Sequence, residues 1–158
     1  MILTTLDGRF PSRTRFARYC DDVVDFLFDT PPKKEWTIVV KMRRHLLHEN
    51  EPFDEVNDLF YQDGGLCWIE DDNYILIELA RNFVDKNHEL IHYSIPELTT
   101  TAAHELVHAK QWIEGYIGES NVIVEGHTQN WWMENHPHNE LPWEREAYEL
   151  QSQLSELW

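Results

Sequence analysis

The chain has 158 residues, 42% apolar and 13% aromatic, which is enough to bury a core and too apolar for a disordered segment. Its formal charge is −16, spread unevenly: residues 1–44 carry nine basic against six acidic groups, and the remainder carries four against 23. Such an acidic body excludes nucleic-acid binding over the whole surface and leaves only the basic N-terminal third as a docking face for that partner.

Met1–Phe10 lacks the basic start and apolar run of a signal peptide, and no apolar run approaches membrane-spanning length. Cys20 and Cys67 show neither metal-ligand spacing nor a disulfide framework. The expectation is one domain over 1–158 in the cytoplasm, with no membrane partner. From Pro11-Ser12, apolar residues Phe16, Tyr19, Cys20, Val23, Val24, Phe26 and Leu27 recur at helical spacing until Thr30-Pro31-Pro32, so the first predicted element is a helix. The β-branched run 36–42 predicts a strand. The segment 43–64 is polar and irregular, with a short helix predicted around 53–60. Segments 66–70 and 74–79 flank Asp71-Asp72-Asn73 and read as a hairpin. Ser94 is a cap for a helix that begins at Ile95-Pro96 and ends near Glu114-Gly115. A short strand is predicted over 121–125, and Pro142 opens a last helix. Helix, three strands, helix, connection and helix make an α+β layout.

Two segments carry the pattern His-Glu-x-x-His: His88–His92 and His104–His108. Histidines four apart on a helix project from one face, one turn above each other, and can share a zinc ion with the intervening glutamate beside it. The first copy follows Asp85-Lys86-Asn87, and Pro96 stands four residues past His92, where a continuing helix would lose a hydrogen bond. Ser94 is also a better cap than helix-interior residue. The second copy lies between Thr101-Ala102-Ala103 and Ala109-Lys110-Gln111-Trp112, in the middle of the predicted helix. Zinc is therefore assigned to His104 and His108, with Glu105 as general base, and His88 and His92 are read as surface or loop residues.

A catalytic zinc site needs a third protein ligand and an open position. The last helix begins Pro142-Trp143-Glu144-Arg145-Glu146-Ala147-Tyr148. Glutamates two apart point away from each other, so only one can face the metal. Glu144 is preferred, because Ala147, three residues on, is small enough to let the helices approach; Glu146 is left as an outer or solvent-facing group. His127, His136 and His138 are rival ligands, and His127 is also placed as a substrate-carbonyl contact. Oxyanion help is open among Tyr148, Tyr116 and His127. Trp112, Trp131, Trp132, Trp143 and Trp158 are read as core around the metal helices, with an aromatic substrate wall as the alternative.

The pair HELVHAKQW and PWEREAYELQ resembles the gluzincin type of zinc metallopeptidase, and is similar to small SprT-like or phage-encoded peptidases, to the minimal gluzincins and to the ImmA/IrrE group. The resemblance covers 104–158, and its Glu-x-x-Ala core falls on Glu144 and Ala147. Where that pattern has Asp or Asn next, this chain has Tyr148. The resemblance implies a zincin-like fold with a sheet in front of the active-site helix. It also implies a peptide or protein substrate laid along the edge strand, for which 74–79 is the expected segment. A phage-encoded chain would act in the host cytoplasm. The rival expectation is a zinc-fold binding or regulatory module with little catalysis, its acidic body acting as a nucleic-acid mimic.

Overall fold

The first strand comes from plain alternation. Ile2, Thr4 and Leu6 are half-buried while Leu3, Thr5 and Asp7 are exposed, which is the period-two pattern of a strand on one core face. This strand, β1 (Ile2–Asp7), was not expected from the sequence. It runs parallel to β2 (Trp36–Arg43), with α1 (Arg13–Leu27) as the crossover between them. In this computed structural model, which describes residues 1–50, 52–118 and 122–158, the architecture is α+β.

The predicted helix around 53–60 is instead a tight hairpin of β3 (Phe53–Asp54) and β4 (Leu59–Phe60). The cause is Asp54, whose Oδ1 accepts from the backbone N–H of Val56 and Asn57 while its Oδ2 accepts from Asn57 Nδ2 and the Tyr61 hydroxyl. Those bonds give the backbone a turn in place of a helical ladder. The hairpin of β5 (Gly65–Asp71) and β6 (Tyr74–Ala80) forms as expected around residues 72 and 73. The sheet order is β1-β2-β6-β5, so β1 adds a fourth strand to the three read from the sequence, within the expectation of a three-stranded or larger sheet. Tyr74–Ala80 lies inside, parallel to β2, and the edge next to the helices is β5. The expectation that 74–79 is the edge strand is corrected: its run of buried residues Ile75, Ile77, Glu78, Leu79 and Ala80 belongs to an interior strand.

One face of the sheet carries Ile38, Val40 and Met42 from β2 and Ile75, Ile77 and Leu79 from β6. These pack in a single cluster with Phe16, Tyr19, Cys20 and Val23 of α1, with Leu98, Ala102, Leu106 and Val107 of α2 (Ile95–Ile113), and with Ala147 and Leu154 of α4 (Pro142–Leu154). The helices thus form one layer against one sheet face. Trp158 packs with Phe16 and Tyr19, at ring distances of 5.8 and 5.6 Å, and so belongs to the α1 end of the core rather than to the metal helices.

The first His-Glu-x-x-His copy is not helical. β7 (Asn82–Val84) and β8 (Leu90–His92) pair as a small hairpin, and His88 sits in its turn with φ 64°. His88 packs between Phe53 and Phe60, and His92 bonds Asn82, so the two rings share no metal face. The second copy is mid-helix. Ser94 and Glu97 form a reciprocal capping box at the start of α2, Pro96 sits in its first turn, and Gly115, with φ 73°, follows its end. Beyond it, Gly126 (φ 86°) turns β9 (Ile123–Val124) into β10 (His127–Thr128), and α3 (Gln129–Asn135) follows under a Thr128 cap. The expected strand over 121–125 is shorter than predicted, and residue 121 lies outside the described residues. A second small cluster, Ile117, Val124, Leu141 and Trp143, holds this connection against the ends of α2 and α4. Among the described residues no helix is long and apolar enough to cross a membrane.

Candidate metal centre

The i, i+4 spacing on α2 places the His104 and His108 rings 4.8 Å apart. α4 packs across α2, and the fully buried Ala147 lets the helices approach on the face that also carries Glu144. Glu144, only 2% exposed, directs Oε1 to 3.0 Å from His104 Nε2 and 2.9 Å from His108 Nε2. The two Nε2 atoms are 3.2 Å apart. One donor atom from each of the three residues therefore lies within 4.8 Å of the others, a group able to hold a metal ion.

The hydrogen bonds behind the rings test whether a cation fits. Gln111 Nε2 donates to the Trp143 carbonyl at 2.9 Å and to Glu146 Oε1 at 3.2 Å. Both partners are acceptors, so the amide is oriented and its Oε1 must face His108 Nδ1, 2.7 Å away. An oxygen there requires a proton on Nδ1. A neutral His108 then presents a bare Nε2 lone pair to a carboxylate at 2.9 Å. Gln151 Oε1 stands 2.9 Å from His104 Nδ1, a placement that fits the same tautomer. Three lone pairs aimed at one point repel unless a cation lies between them, and two imidazoles with one carboxylate suit a divalent transition metal. Without a metal, a proton supplies the charge. Burial lowers the His108 pKa, but the bond to Glu144 and the nearby Glu105 and Glu144 charges outweigh it and hold the group above its ordinary value. For Glu144, burial raises the pKa, and the bonds from His104 and His108 more than offset this, holding it well below the usual carboxylate range.

Glu105 follows His104 on α2 and is 7% exposed. Burial pushes its carboxyl up to about 7, against the opposing pull of His108 and His104, with Glu144 and Asp63 adding to the rise. Gly65 of β5 presses on it: a methyl at Gly65 would stand 2.7 Å from Thr101 Cγ2, 2.9 Å from Glu105 Cγ and 3.1 Å from Glu105 Oε1. Only a residue without Cβ allows this approach. A cavity of about 290 Å³ opens here between the β5 edge, α2, α3 and α4. Its polar floor is His104, Glu105, His108 and Glu144, and Leu66, Trp112, Ile117, Met133, Leu141 and Trp143 form apolar walls. Trp112 and Trp143 thus serve both as packing and as a wall of the cavity.

The other sequence candidates fall in different places. Glu146 touches Gln111 rather than His104 or His108. The Tyr148 ring packs 4.8 Å from the His104 ring and is half exposed. His127 stacks on Trp131 at 3.6 Å, away from the residues that line the cavity. His136 sits against Trp132 at 4.8 Å. His138, largely exposed, reaches Glu144 Oε1 at 3.3 Å from the cavity mouth. Sequence reasoning missed Gln111, Gln151 and Gly65. The spacing held a signal for two of them: Gln111 is three residues past His108, and Gln151 is seven past Glu144, on the same helix faces.

The basic N-terminal third spends much of its charge on the fold. Arg13 donates to the carbonyls of Leu6 and Gly8, Arg15 stacks on Trp158, Lys34 reaches the Asp72 carbonyl and Arg43 pairs with Glu78.

No family model, curated protein or solved structure matches the chain. The site is therefore read from its own geometry.

Proposed function

We propose that the chain is a zinc-dependent metallopeptidase of zincin-like, gluzincin type. One observation carries the reading: His104, His108 and Glu144 converge on one point, and Glu105 stands beside it in the same cavity. A purely structural metal site has no use for a buried glutamate next to its ligands. Two histidine nitrogens and a carboxylate leave an open position on zinc, the arrangement of catalytic rather than structural sites.

His104, His108 and Glu144 would hold the metal, their Nε2 and Oε1 atoms being the ones that converge. Zinc held there supplies a Lewis acid that acidifies water and polarises a carbonyl. Glu105 takes the proton of the attacking water as the new C–O bond forms, then delivers it to the leaving amine as the C–N bond breaks. Burial holds this carboxyl above its ordinary range in the metal-free chain, and a cation beside it would draw it back down toward the ionised form that a general base needs. Among the described residues no strand pairs with the outer side of β5, which would offer its backbone N–H and C=O groups to an extended peptide, and Gly65 brings that strand against Glu105. The substrate class is then a peptide or unstructured protein segment.

Glu105→Gln tests the reading. The variant keeps one zinc per chain by metal analysis and loses zinc-dependent cleavage of an unfolded protein. Cleavage at the wild-type rate in that variant would sink the role given to Glu105.

A further inference from the structure

The outer partners of the two histidines are not equivalent. Gln151 reaches His104 through its Oε1 alone among the bonds described. Gln111 is 2% exposed and uses both ends of its amide: Oε1 takes the His108 proton, while Nε2 donates to the Trp143 carbonyl and to Glu146. Trp143 immediately precedes Glu144. A single side chain of α2 therefore ties the second histidine to the backbone beside the carboxylate ligand of α4.

We propose that Gln111 is a positioning residue, and that with Glu146 behind it it forms an amide-relayed carboxylate for His108. The inference rests on the metal-site reading above. Zinc-ligating histidines commonly give their second ring N–H to a carboxylate, which fixes the tautomer and raises ligand basicity. Here the carboxylate stands one amide further out. The Glu146 charge polarises the Gln111 N–H, which makes the Gln111 carbonyl a stronger acceptor for His108 Nδ1–H. The amide in the middle also does what a carboxylate at position 111 could not, because it donates to the Trp143 carbonyl and so holds the start of α4 against α2. Glu144 is kept at 2.9 Å from His108 by that tie. Glu146 would thus act on a bound metal through Gln111, which its Oε1 meets at 3.2 Å, without touching a histidine itself.

The test uses three variants of the full chain: Gln111→Met, Glu146→Gln and the double swap Gln111→Glu with Glu146→Gln. Two readouts are taken, the nitrogen-15 ring shifts of His108 in the metal-free protein at alkaline pH, where the ring is neutral, and zinc affinity by chelator competition, with thermal unfolding as the check on folding. Gln111→Met loses the Nδ1–H preference of His108 and weakens zinc by roughly 10–100-fold. Glu146→Gln, which leaves the helix contact intact, keeps the tautomer and weakens zinc severalfold. The double swap places a carboxylate directly on His108 with an amide behind it and restores the tautomer, but it loses the donation to the Trp143 carbonyl, so its zinc affinity stays below wild type. Unchanged His108 shifts and unchanged zinc affinity in a folded Gln111→Met variant overturn the proposal, as does a Glu146→Gln variant with wild-type affinity. Should Gln111→Met not fold, Glu146→Gln and the double swap decide the matter. A wild-type chain that binds no zinc overturns the metal reading instead, and the His108 shifts still report whether Gln111 sets the tautomer.

Discussion

Gly65→Ala probes the closest approach in the site with the smallest possible change. The added methyl meets Thr101 Cγ2 at 2.7 Å and Glu105 Cγ at 2.9 Å. Ordinary carbon contacts lie at about 3.5–4.0 Å, so the neighbours must retreat by roughly 0.5–1 Å. Thr101 is β-branched and held at χ1 within α2, so it yields little. Glu105, with three side-chain torsions, takes most of the displacement. Overpacking costs about 1–3 kcal/mol, and loss of glycine's unfolded-state freedom returns roughly 0.5–1 kcal/mol. The net is about 0–2.5 kcal/mol, a fall in Tm of at most several degrees for a chain of this size. Activity suffers far more, because a base misplaced by about 1 Å can cost on the order of 100-fold in rate. The three atoms nearest the added methyl belong to Thr101 and Glu105 and not to His104, His108 or Glu144, so zinc content stays at the wild-type value. Thermal unfolding, metal analysis and zinc-dependent cleavage of an unfolded protein read the three quantities separately. Wild-type turnover in Gly65→Ala would refute the placement of Glu105 as the base. Loss of zinc together with activity would mean that the strand, not the glutamate, gives way.

Three further outcomes follow from the same geometry. Glu144→Ala loses its metal on dialysis against a weak chelator that leaves the wild type loaded; full retention would transfer the third-ligand role to His138, 3.3 Å from Glu144 Oε1. Ala147→Leu puts three extra carbons into a fully buried position between α2 and α4 and costs about 1–3 kcal/mol. It also draws Glu144 away from the histidines, so zinc affinity falls with stability, and a stable variant with unchanged affinity would show that the helix spacing is not set there. The stabilisation by zinc grows as the pH rises from about 5.5 to about 8. In the metal-free protein, the raised His108 and Glu105 groups contribute stability that is complete below their unfolded values, 6.5 and 4.5, and is lost as pH rises through their higher folded values. The lowered Glu144 contributes above 4.5 and persists to strongly acidic pH, so its contribution is constant across this window. Protons and zinc compete for the same lone pairs, so the zinc-induced shift in Tm, compared at matched free zinc, is smallest at the acid end. A shift that shrinks with rising pH would exclude the histidines as ligands.

Much of the site was legible because its parts are local. The spacing of His104, Glu105 and His108 already selects one helix face, and the residues around Ser94 and Pro96 place the helix start after the first copy of the motif rather than before it. The preference for Glu144 over Glu146 rested on the same kind of reasoning, since helical periodicity puts Ala147 on the Glu144 face, and the structure has Glu144 at the histidines and Glu146 at Gln111. The hairpin around residues 72 and 73 was equally local.

What the sequence determined by itself, then, was that His104, His108 and Glu144 come together and which helices carry them, because helical periodicity converts spacing directly into direction. Only the tertiary structure decided which strand is the edge. Strand pairing joins segments far apart in the chain, so β6 reads like any apolar strand until β2 is seen parallel beside it and β5 is left with a free side. The same holds for Gly65 and Gln111. A glycine opening a strand and a glutamine inside a helix carry no local sign of what they touch. Their meaning comes from Glu105 pressed against one and from His108, Trp143 and Glu146 gathered around the other. The 53–60 segment makes the point in reverse: its apolar spacing fits a short helix, but the Asp54 carboxylate bonds to the next turn's N–H groups and prevents one.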